Sequence, residues 1–467
     1  MKYRLPELEV PSDNPFLHDA LKRKPMVEFL AGLIGRLEGP FVLALDSPWG
    51  TGKTTIVKML QAKLTMDQFQ CVYFNAWKVD YVTDPLVALV SALDGIHLTD
   101  DGAESVFRRH LKTAKQITSA VAKRVVIAGV KAATMGGLDI EDEVEKLAGD
   151  AAGEMAGNLV DVFQKEKQAL DKFRLEVEKA IEQLKAAGKK ETLVFFIDEL
   201  DRCRPTFAIE MLERIKHLFD VPNIVFVLSI DKSQLEASTA AVYGEKINAP
   251  EYLRRFIDLE YGIPMIQTKR YTESLLTRFE LDAEFSKRNG DQTRYDKDNF
   301  VDTFTELADV HNMSLRARER CIARLCVVME QTPSDHYLDP FLLALLMVLR
   351  LKNADLFSRL CAGVDGPEVV MQYLSGLPGG VRLVAERSGL VIEAYLIAAD
   401  PNKERSEARR IALQRQIDES DVSDAPTVKF RARELTNMRR HIFSGFRNSV
   451  NLAHIAGKID LAASVRD

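Results

Sequence analysis

The sequence predicts an α/β protein whose core holds a parallel sheet and whose other regions are helical. Residues 41–45 form a short apolar run, followed by a glycine-containing loop and then by apolar residues at helical spacing. A second apolar run, residues 192–197, ends in a group of acidic residues. Long segments between and after these runs repeat apolar residues every three or four positions, as helices do. Buried strands that alternate with helices favour a parallel sheet.

Length and composition indicate a globular chain of several parts. The 467 residues suggest about three structural units. Hydrophobic residues make up 46% and charged residues 28%, which excludes a mainly disordered chain. The 63 Lys and Arg against 69 Asp and Glu leave a net charge of −6. Overall charge therefore does not hold this protein on nucleic acid, although a local basic patch remains open.

Cysteine usage and hydropathy bear on the compartment. The five cysteines show neither metal-ligand spacing nor a disulfide framework, which is typical of a reducing compartment. The eight histidines form no ligand pair, so no metal other than Mg²⁺ is expected. The chain starts without an apolar signal region, and its apolar runs fall short of the ~20 residues of a spanning helix. We expect a cytoplasmic protein without a membrane-spanning segment.

Residues 46–55 have the pattern of a phosphate-binding loop. Gly50 and Gly52 let backbone N–H groups turn toward an anion, and the following helix adds its own unpaired donors. Lys53 would reach the β and γ phosphates, and the Thr54 hydroxyl would complete a Mg²⁺ shell. The loop departs from G-x-x-x-x-G-K-[ST] at its first position, which is serine. The predicted nucleotide-binding residues of this loop are Ser47, Trp49, Gly50, Thr51, Gly52, Lys53, Thr54 and Thr55.

The strand at residues 192–197 leads directly into Asp198 and Glu199. An aspartate at this position can hold Mg²⁺ beside the Thr54 hydroxyl, so both are predicted metal-site residues. Glu199 could polarise the attacking water as a general base. No Asn-Lys-x-Asp guanine signature occurs in the chain. The predicted cofactors are therefore ATP, rather than GTP, and Mg²⁺.

Three segments resemble the KAP family of P-loop NTPases, which is related to the AAA+ and STAND ATPases. They are residues 49–54, 75–80 and 197–205, and the likeness extends over roughly residues 15–90 and 190–330. The resemblance implies a switch or scaffold driven by nucleoside triphosphate. Family settings include membrane-associated signalling and plasmid- or prophage-borne exclusion of phages. KAP proteins often carry transmembrane helices between the loop and the aspartate strand, whereas no spanning segment occurs here.

The AAA+ relationship also implies a sheet order and further site residues. A strand at residues 223–230 would lie between the loop strand and the Asp198 strand. Ser229 or Asp231 would then face the γ-phosphate or the attacking water, or else would be a solvated strand end. A last strand is expected at residues 257–264. Arginines placed ahead of that strand in AAA+ proteins reach a neighbouring subunit's nucleotide.

Two arginines of this chain match that position, and a third matches a position in the family's helical lid. Arg254 and Arg255 precede the last predicted strand, and they are either catalytic across a subunit interface or a surface pair on an amphipathic helix. Arg316 lies in a segment that resembles the Ser-Pro-Arg sequence of the family's helical lid, with Leu315 in place of proline. From that lid it would touch the γ-phosphate.

The predicted organisation has a split core. It consists of an N-terminal flank (1–35), a P-loop core (36–90 and 190–265), a helical insertion (91–189), a helical lid (266–335) and a helical C-terminal domain (336–467). In the insertion, apolar spacing over residues 159–184 predicts a helix that Gly188 stops. Residues 119–138 either lie on a membrane surface or, as we favour, pack as a helix, and residues 139–154 form an acidic loop or solvated face. The C-terminal domain should contain a buried helix (341–349), a charged helix (402–417) and a linker (420–427).

Aromatic residues raise two further expectations. Trp77 is expected to be a core anchor, and Trp49 to shield the phosphate site or pack under the lid. The basic segment 429–447 carries three interleaved phenylalanines, Phe430, Phe443 and Phe446. It either binds nucleic acid or, as we favour, forms an amphipathic helix with those rings buried.

Taken together, the residues indicate a KAP-like P-loop ATPase that binds and hydrolyses ATP with Mg²⁺ to drive a conformational or assembly switch. A regulatory or anti-phage defence role, a homo-oligomer and a separate effector protein are expected with it. Two alternatives stay open. One is a nucleotide-dependent binding scaffold with little hydrolysis, and the other is a nucleic-acid-stimulated ATPase that uses the basic C-terminal tail.

Overall fold

A computed structural model describes most of the chain and divides it into two compact units. One unit is Leu8–Met265, and the other joins Met1–Glu7 to Ile266–Asp467. The described residues are 2, 4–6, 8–37, 39–82, 84–135, 151–264, 269–288, 295–333, 338–418, 426–444 and 452–460.

The first unit is built on a five-stranded sheet with the order β2-β3-β4-β1-β5. All of its strand pairs are parallel. The middle strands β3 and β4 are buried along their whole length, as strands covered on both faces must be. The predicted position of β4 between β1 and β3 is confirmed. The strands are β1 (Phe41–Asp46), β2 (Gln70–Asn75), β3 (Leu193–Asp198), β4 (Ile224–Ile230) and β5 (Leu259–Gly262).

Helices cover both faces of this sheet. On one face, Leu30 and Leu60 belong to the same hydrophobic cluster as Val227 of β4. On the other face, Phe173 stacks edge-on against Phe219, at 5.6 Å between ring centres, within a second cluster. The helices of this unit are α1 (Lys24–Ile34), α2 (Lys53–Met66), α3 (Pro85–Ala92), α4 (Asp101–Met135), α5 (Ala151–Ala186), α6 (Pro205–Leu218), α7 (Lys232–Tyr243) and α8 (Ala249–Leu253).

Most of the described part of residues 91–189, the predicted helical insertion, lies in two long helices, α4 and α5, that pack against each other. Phe107 of α4 and Val177 of α5 are buried, and His110 Nδ1 lies 2.7 Å from Glu176 Oε2. The predicted stop of α5 is confirmed, because Gly188 takes a φ of +73° just after the helix ends at Ala186. The side chains of residues 119–138 and the segment 139–150 lie outside the described residues. Within the described residues, no helix is long and apolar enough to cross a membrane.

Every regular secondary-structure element described in the second unit is a helix. Its helices are α9 (Lys269–Arg278), α10 (Leu281–Lys287), α11 (Asp296–Val310), α12 (Leu315–Glu330), α13 (Pro340–Lys352), α14 (Ala354–Cys361), α15 (Pro367–Ser375), α16 (Gly380–Ala385), α17 (Arg387–Ala399), α18 (Lys403–Asp418), α19 (Pro426–Ser444) and α20 (Leu452–Asp460).

The predicted buried helix is confirmed as α13, in which Leu342–Leu349 are all buried. Asp339 caps it by accepting hydrogen bonds from the backbone N–H groups of Phe341 (3.0 Å) and Leu342 (2.9 Å). The predicted charged helix is α18, with Leu413 as its buried residue. Most of the predicted linker, residues 419–425, lies outside the described residues.

The basic C-terminal segment forms α19, and one expectation about it is wrong. Phe430 is 63% exposed, so its ring is not buried in an amphipathic core. Its neighbour Arg431 turns the other way and pairs with the buried Glu393 at 2.5 Å. The buried face of α19 is supplied instead by aliphatic residues such as Leu435 and Ile442. The side chains of Phe443 and Phe446 lie outside the described residues.

Candidate functional site

The loop between β1 and α2 has the backbone shape that its glycines predict. Gly50 and Gly52 take φ values of +79° and +88°, which other residues rarely adopt. Gly52 caps α2, so the unpaired N–H groups of the first helical turn follow it directly. Ser47, at the position where glycine was expected, bonds its hydroxyl to that of Thr51 at 2.7 Å. A serine therefore fits the loop and adds a cross-brace to it.

Lys53 lies at the start of α2 with its side chain folded back over the loop. Its ammonium group donates to the carbonyl oxygens of Ser47 and Pro48, the latter at 3.3 Å. Burial lowers the pKa of Lys53, although the nearby carboxylates of Asp201 and Asp231 oppose that shift. Phosphate oxygens are stronger acceptors than carbonyl oxygens, so an entering nucleotide can compete for this ammonium group.

Thr54 and Asp198 are brought together by the fold. Thr54 Oγ1 donates to Asp198 Oδ2 at 2.8 Å, and the Tyr73 hydroxyl donates to the same oxygen at 2.9 Å. The other carboxylate oxygen accepts the backbone N–H of Glu199 at 3.0 Å. Burial, followed by the charge of Asp198, raises the pKa of Tyr73, which therefore stays a donor. Thr55 follows in the same turn of α2 and is half-buried.

Hydroxyl and carboxylate oxygens are the ligands that Mg²⁺ prefers. Ser229 lies opposite Asp198 in the β3–β4 register, and its hydroxyl is fully buried without a hydrogen bond in the described structure. The described residues include no group of three or more His, Cys, Asp or Glu side chains placed to bind a metal. Mg²⁺ characteristically takes one or two protein oxygens and completes its shell with water and substrate phosphates. The donor set around Thr54 therefore fits a nucleotide-bound Mg²⁺ ion.

Glu199 begins the turn after β3 in a left-handed conformation, with φ of +62°. Its Oε2 accepts a hydrogen bond from Asn75 Nδ2 at 2.9 Å. Its Oε1 lies 2.6 Å from Arg202 Nη1, in a short helical turn at Leu200–Arg202. Both oxygens of the predicted base are therefore engaged by side chains.

Trp49 links the loop to the ends of β3 and β4. Its indole N–H donates to Asp201 Oδ2, and its backbone N–H donates to Asp231 Oδ2 at 3.2 Å. Ser233 donates to the other Asp231 oxygen at 2.7 Å. Burial raises the pKa of Asp201, with the Trp49 hydrogen bond acting against that shift. The Trp49 ring itself is 43% exposed.

Trp77 is not the core anchor that the sequence suggested, because 51% of it is exposed. The core contact expected of it is made instead by residues of β2 such as Phe74. Trp77 follows β2 at the start of a short helical turn, Trp77–Val79. The guanidinium carbon of Arg202 lies 5.6 Å from its ring centre, which is a cation–π distance.

The arginines predicted to act across an interface do not contact the loop within the described chain. Arg254 ends α8 and pairs with Glu251 at 2.8 Å. Arg255 lies over the Tyr252 ring at 5.7 Å. Both are exposed, as is Arg316 in the first turn of α12 in the other unit.

Arg23 is a neighbour of the loop that the motif analysis missed. Its Nη2 donates to the Thr51 carbonyl oxygen at 3.2 Å, and the residue is only 5% exposed. Its Nε and Nη1 are buried without a hydrogen bond among the described residues. Burial lowers the pKa of Arg23, and nearby Asp19 opposes the shift. No motif marks this position, whereas Asn75 and Arg202 lay within segments that the sequence had already singled out.

A family model identifies the class of protein to which this loop belongs. The family model described as the KAP family P-loop domain matches residues 23–331, more than half of the chain. The chain belongs to the KAP family of P-loop NTPases. None of the curated proteins compared with it matches. Among solved structures, the Aeropyrum pernix ORC2 protein in ADPNP–ADP complexes aligns over 94% of this KAP chain and 98% of its own, at 14% identity and a TM-score of 0.36.

The three segments that carry the KAP resemblance meet in the folded chain. Trp49, from the first segment, contacts Asp201 of the third through its indole N–H. Asn75, from the second, contacts Glu199 of the third at 2.9 Å. Because β1, β2 and β3 run parallel, their carboxyl ends lie at one edge of the sheet, where ligands of α/β proteins bind.

Proposed function

We propose that this KAP protein binds and hydrolyses ATP with Mg²⁺ and uses turnover to switch its conformation or assembly state. The observation that supports the proposal is the 2.8 Å hydrogen bond between Thr54 Oγ1 and Asp198 Oδ2. This bond joins the first turn of α2 to the end of β3. Two oxygen atoms of the kind that Mg²⁺ prefers as ligands therefore lie next to the phosphate-binding loop. Family membership supports the same assignment.

Each residue of the site would have a distinct task. The N–H groups at Gly50–Thr54 and the Lys53 ammonium bind the β and γ phosphates. Thr54 and Asp198 hold the metal, which when bound would neutralise charge on the phosphates. Glu199 accepts a proton from the attacking water. Ser229 or Asp231 would then be placed to meet the γ-phosphate or that water.

The exposed arginines support an assembly component of the proposal. Arg254 and Arg255 are exposed and do not contact the phosphate-binding loop among the described residues of their own chain. An arginine that one subunit supplies to the phosphates bound by another can raise the rate of hydrolysis about 10³- to 10⁵-fold. We therefore include a homo-oligomer in which these two residues complete a neighbour's site. Arg316 of α12 is proposed to contact the γ-phosphate from the helical lid. A regulatory or anti-phage role, acting through a separate effector protein, is the biological setting we favour.

The decisive experiment separates binding from turnover. ATP affinity, ATP turnover and molecular mass with and without ATP are measured for the wild type, Lys53→Ala and Glu199→Gln. We expect Lys53→Ala to lose binding and Glu199→Gln to bind normally but turn over at least about 100-fold more slowly. Wild-type turnover no higher than that of Lys53→Ala would favour the scaffold alternative. A mixture of Lys53→Ala with the Arg254→Ala/Arg255→Ala double variant should recover turnover if subunits share sites.

One observation favours the alternative that nucleic acid stimulates the ATPase. The exposed Phe430 lies on α19 with two exposed arginines, Arg433 and Arg440, a combination that suits single-stranded nucleic acid. Stimulation of turnover by DNA or RNA, abolished in a Phe430→Ala/Arg433→Ala/Arg440→Ala variant and weakened by salt, would support it. An unstimulated, salt-insensitive rate excludes it.

A further inference from the structure

Arg202 connects the predicted catalytic base to an exposed tryptophan. Its Nη1 lies 2.6 Å from Glu199 Oε1, and its guanidinium carbon lies 5.6 Å from the centre of the Trp77 ring. The Arg202 and Glu199 side chains are only 23% and 17% exposed, so solvent screens their attraction incompletely. The outer partner, Trp77, is half exposed. A surface ring and a mostly buried carboxylate therefore share one arginine.

The restraints on Glu199 act from one side of the sheet. Asn75, which bonds the other Glu199 oxygen, is the last residue of β2, and Trp77 follows two residues later. Strand β2 is an edge strand, and both β3 and β4 separate it from β1, which leads into the phosphate-binding loop. A carboxylate that activates water must face the γ-phosphate above that loop. Asn75 and Arg202 instead hold the Glu199 carboxylate on the β2 side of the site.

The backbone of Glu199 also indicates a fixed position. A non-glycine residue with φ of +62° is disfavoured unless its surroundings hold it there. Its backbone N–H donates to Asp198 Oδ1 at 3.0 Å and its carbonyl accepts from the Arg202 N–H at 3.2 Å, whereas the contacts that hold its carboxylate are the Asn75 hydrogen bond and the Arg202 ion pair. Weakening one of them frees the side chain to turn toward the loop.

We propose that Arg202 is a positioning residue that keeps the Glu199 carboxylate on the β2 side of the site, and that the exposed Trp77 ring holds Arg202 in place. The inference rests on the proposed hydrolytic function. Trp77 thereby sets the basal rate of hydrolysis from the surface, without touching the nucleotide. Arg202 thus has a role besides forming the turn after β3.

The chain offers a matched control for this test. Arg204 lies two residues beyond Arg202 in the same segment but pairs with Asp80 and not with Glu199. Arg204→Gln therefore removes the same charge nearby without releasing the base. Arg202→Lys keeps the charge but lacks the flat face that stacks on an indole.

The experiment measures kcat and KM for ATP with Mg²⁺ in the full chain. We expect Arg202→Gln to raise kcat about three- to tenfold with KM changed less than about twofold, since a restraint on the base is removed. Trp77→Leu should raise kcat about two- to fivefold, which corresponds to the loss of one cation–π contact. Arg202→Lys should fall between wild type and Arg202→Gln, and Arg204→Gln should match the wild type. Adding Glu199→Gln should abolish every increase.

The inference is overturned by a lower kcat in Arg202→Gln, by a change confined to KM, or by an equal rise in Arg204→Gln. If Arg202→Gln does not fold, as judged by circular dichroism, Trp77→Leu at its exposed position decides the matter by the same criteria. Wild-type turnover equal to that of Lys53→Ala refutes the proposed function and this inference together. Clear wild-type turnover with unchanged Arg202→Gln and Trp77→Leu variants refutes this inference alone.

Discussion

Thr54 and Asp198, 144 residues apart in the sequence, are joined by a hydrogen bond of 2.8 Å from Oγ1 to Oδ2. The bond forms because β4 pairs with both β1 and β3, so the helix after β1 begins beside the end of β3. Asp198 is buried, and its Oδ2 accepts a second hydrogen bond from Tyr73. The first turn of α2 is therefore hydrogen-bonded to the carboxyl end of β3 through Thr54 Oγ1 and Asp198 Oδ2. These are the two oxygens that we assign as Mg²⁺ ligands.

Replacing Thr54 with valine should weaken both the fold and its response to Mg²⁺. A buried carboxylate loses one of its donors, so the free energy of unfolding should fall by about 1–3 kcal/mol in urea titrations without nucleotide. Mg²⁺ should no longer improve nucleotide affinity as it does in the wild type. Thr65→Val is the control, because that hydroxyl donates to the Gln61 carbonyl at 2.8 Å near the exposed end of α2, away from the phosphate-binding loop. Equal effects in the two variants would contradict the assignment.

Asp201 should make stability depend on pH in a defined direction. Burial raises its pKa, so the folded state binds the proton more tightly than the unfolded chain does. The stability that this protonation contributes is present below the unfolded pKa and is lost as the pH rises through the folded pKa. Asp201→Asn cannot ionise but can still accept the Trp49 indole hydrogen bond.

The variant should therefore gain stability relative to the wild type as the pH rises from about 4 to about 7, by about 1.4 kcal/mol for each unit of raised pKa. Urea titrations at a series of pH values measure this difference. Asp67→Asn, which removes a surface partner of Lys63, provides the control. A difference between wild type and Asp201→Asn that does not change with pH would speak against a buried, proton-binding carboxyl group.

Trp49 should report on nucleotide binding by fluorescence. In a Trp77→Phe background it is the remaining tryptophan of the chain, which has two. Its indole N–H contacts Asp201 and its backbone N–H contacts Asp231, so filling the loop should change the environment of the ring. We expect a saturable change in emission on titration with ATP and Mg²⁺, and a flat titration when Lys53→Ala is added. Unchanged emission at millimolar ATP without Lys53→Ala would count against the site.

Glu393 should be a principal anchor of the second unit. It is buried and pairs with Arg409 at 2.9 Å and with Arg431 at 2.5 Å, which joins α17 to α18 and α19. Glu393→Gln removes the negative charge that Arg409 and Arg431 share, although Arg409 keeps Glu368 at 3.7 Å, and we expect a loss of about 2–3 kcal/mol in the free energy of unfolding. Glu407→Gln, which breaks the exposed pair with Arg410, should have no measurable effect. Similar losses in both variants would contradict the anchoring role.

Local patterns in the sequence predicted much of this molecule correctly. The strand at Phe41–Asp46, the loop glycines and the strand that ends at Asp198 are each recognisable from a few neighbouring residues. They depend on chain conformations that those residues themselves prefer, such as the positive φ of Gly50 and Gly52. The buried helix α13 is equally local, since its apolar residues are continuous. Tertiary structure confirmed these elements without changing them.

The contacts that distinguish this site could not be inferred in the same way. Tyr73 meets Asp198, Asn75 meets Glu199, and Arg202 meets Trp77 only because β2 pairs with β3 in one register. A shift of one residue would turn every side chain of β2 to the opposite face. The same long-range packing leaves Trp77 exposed and buries Arg23 under the loop, although tryptophan is typically buried and arginine exposed. The residues that can bind phosphate could therefore be predicted from the sequence alone. The contacts that restrain Asp198 and Glu199 depend on the register between β2 and β3, which only the folded sheet sets.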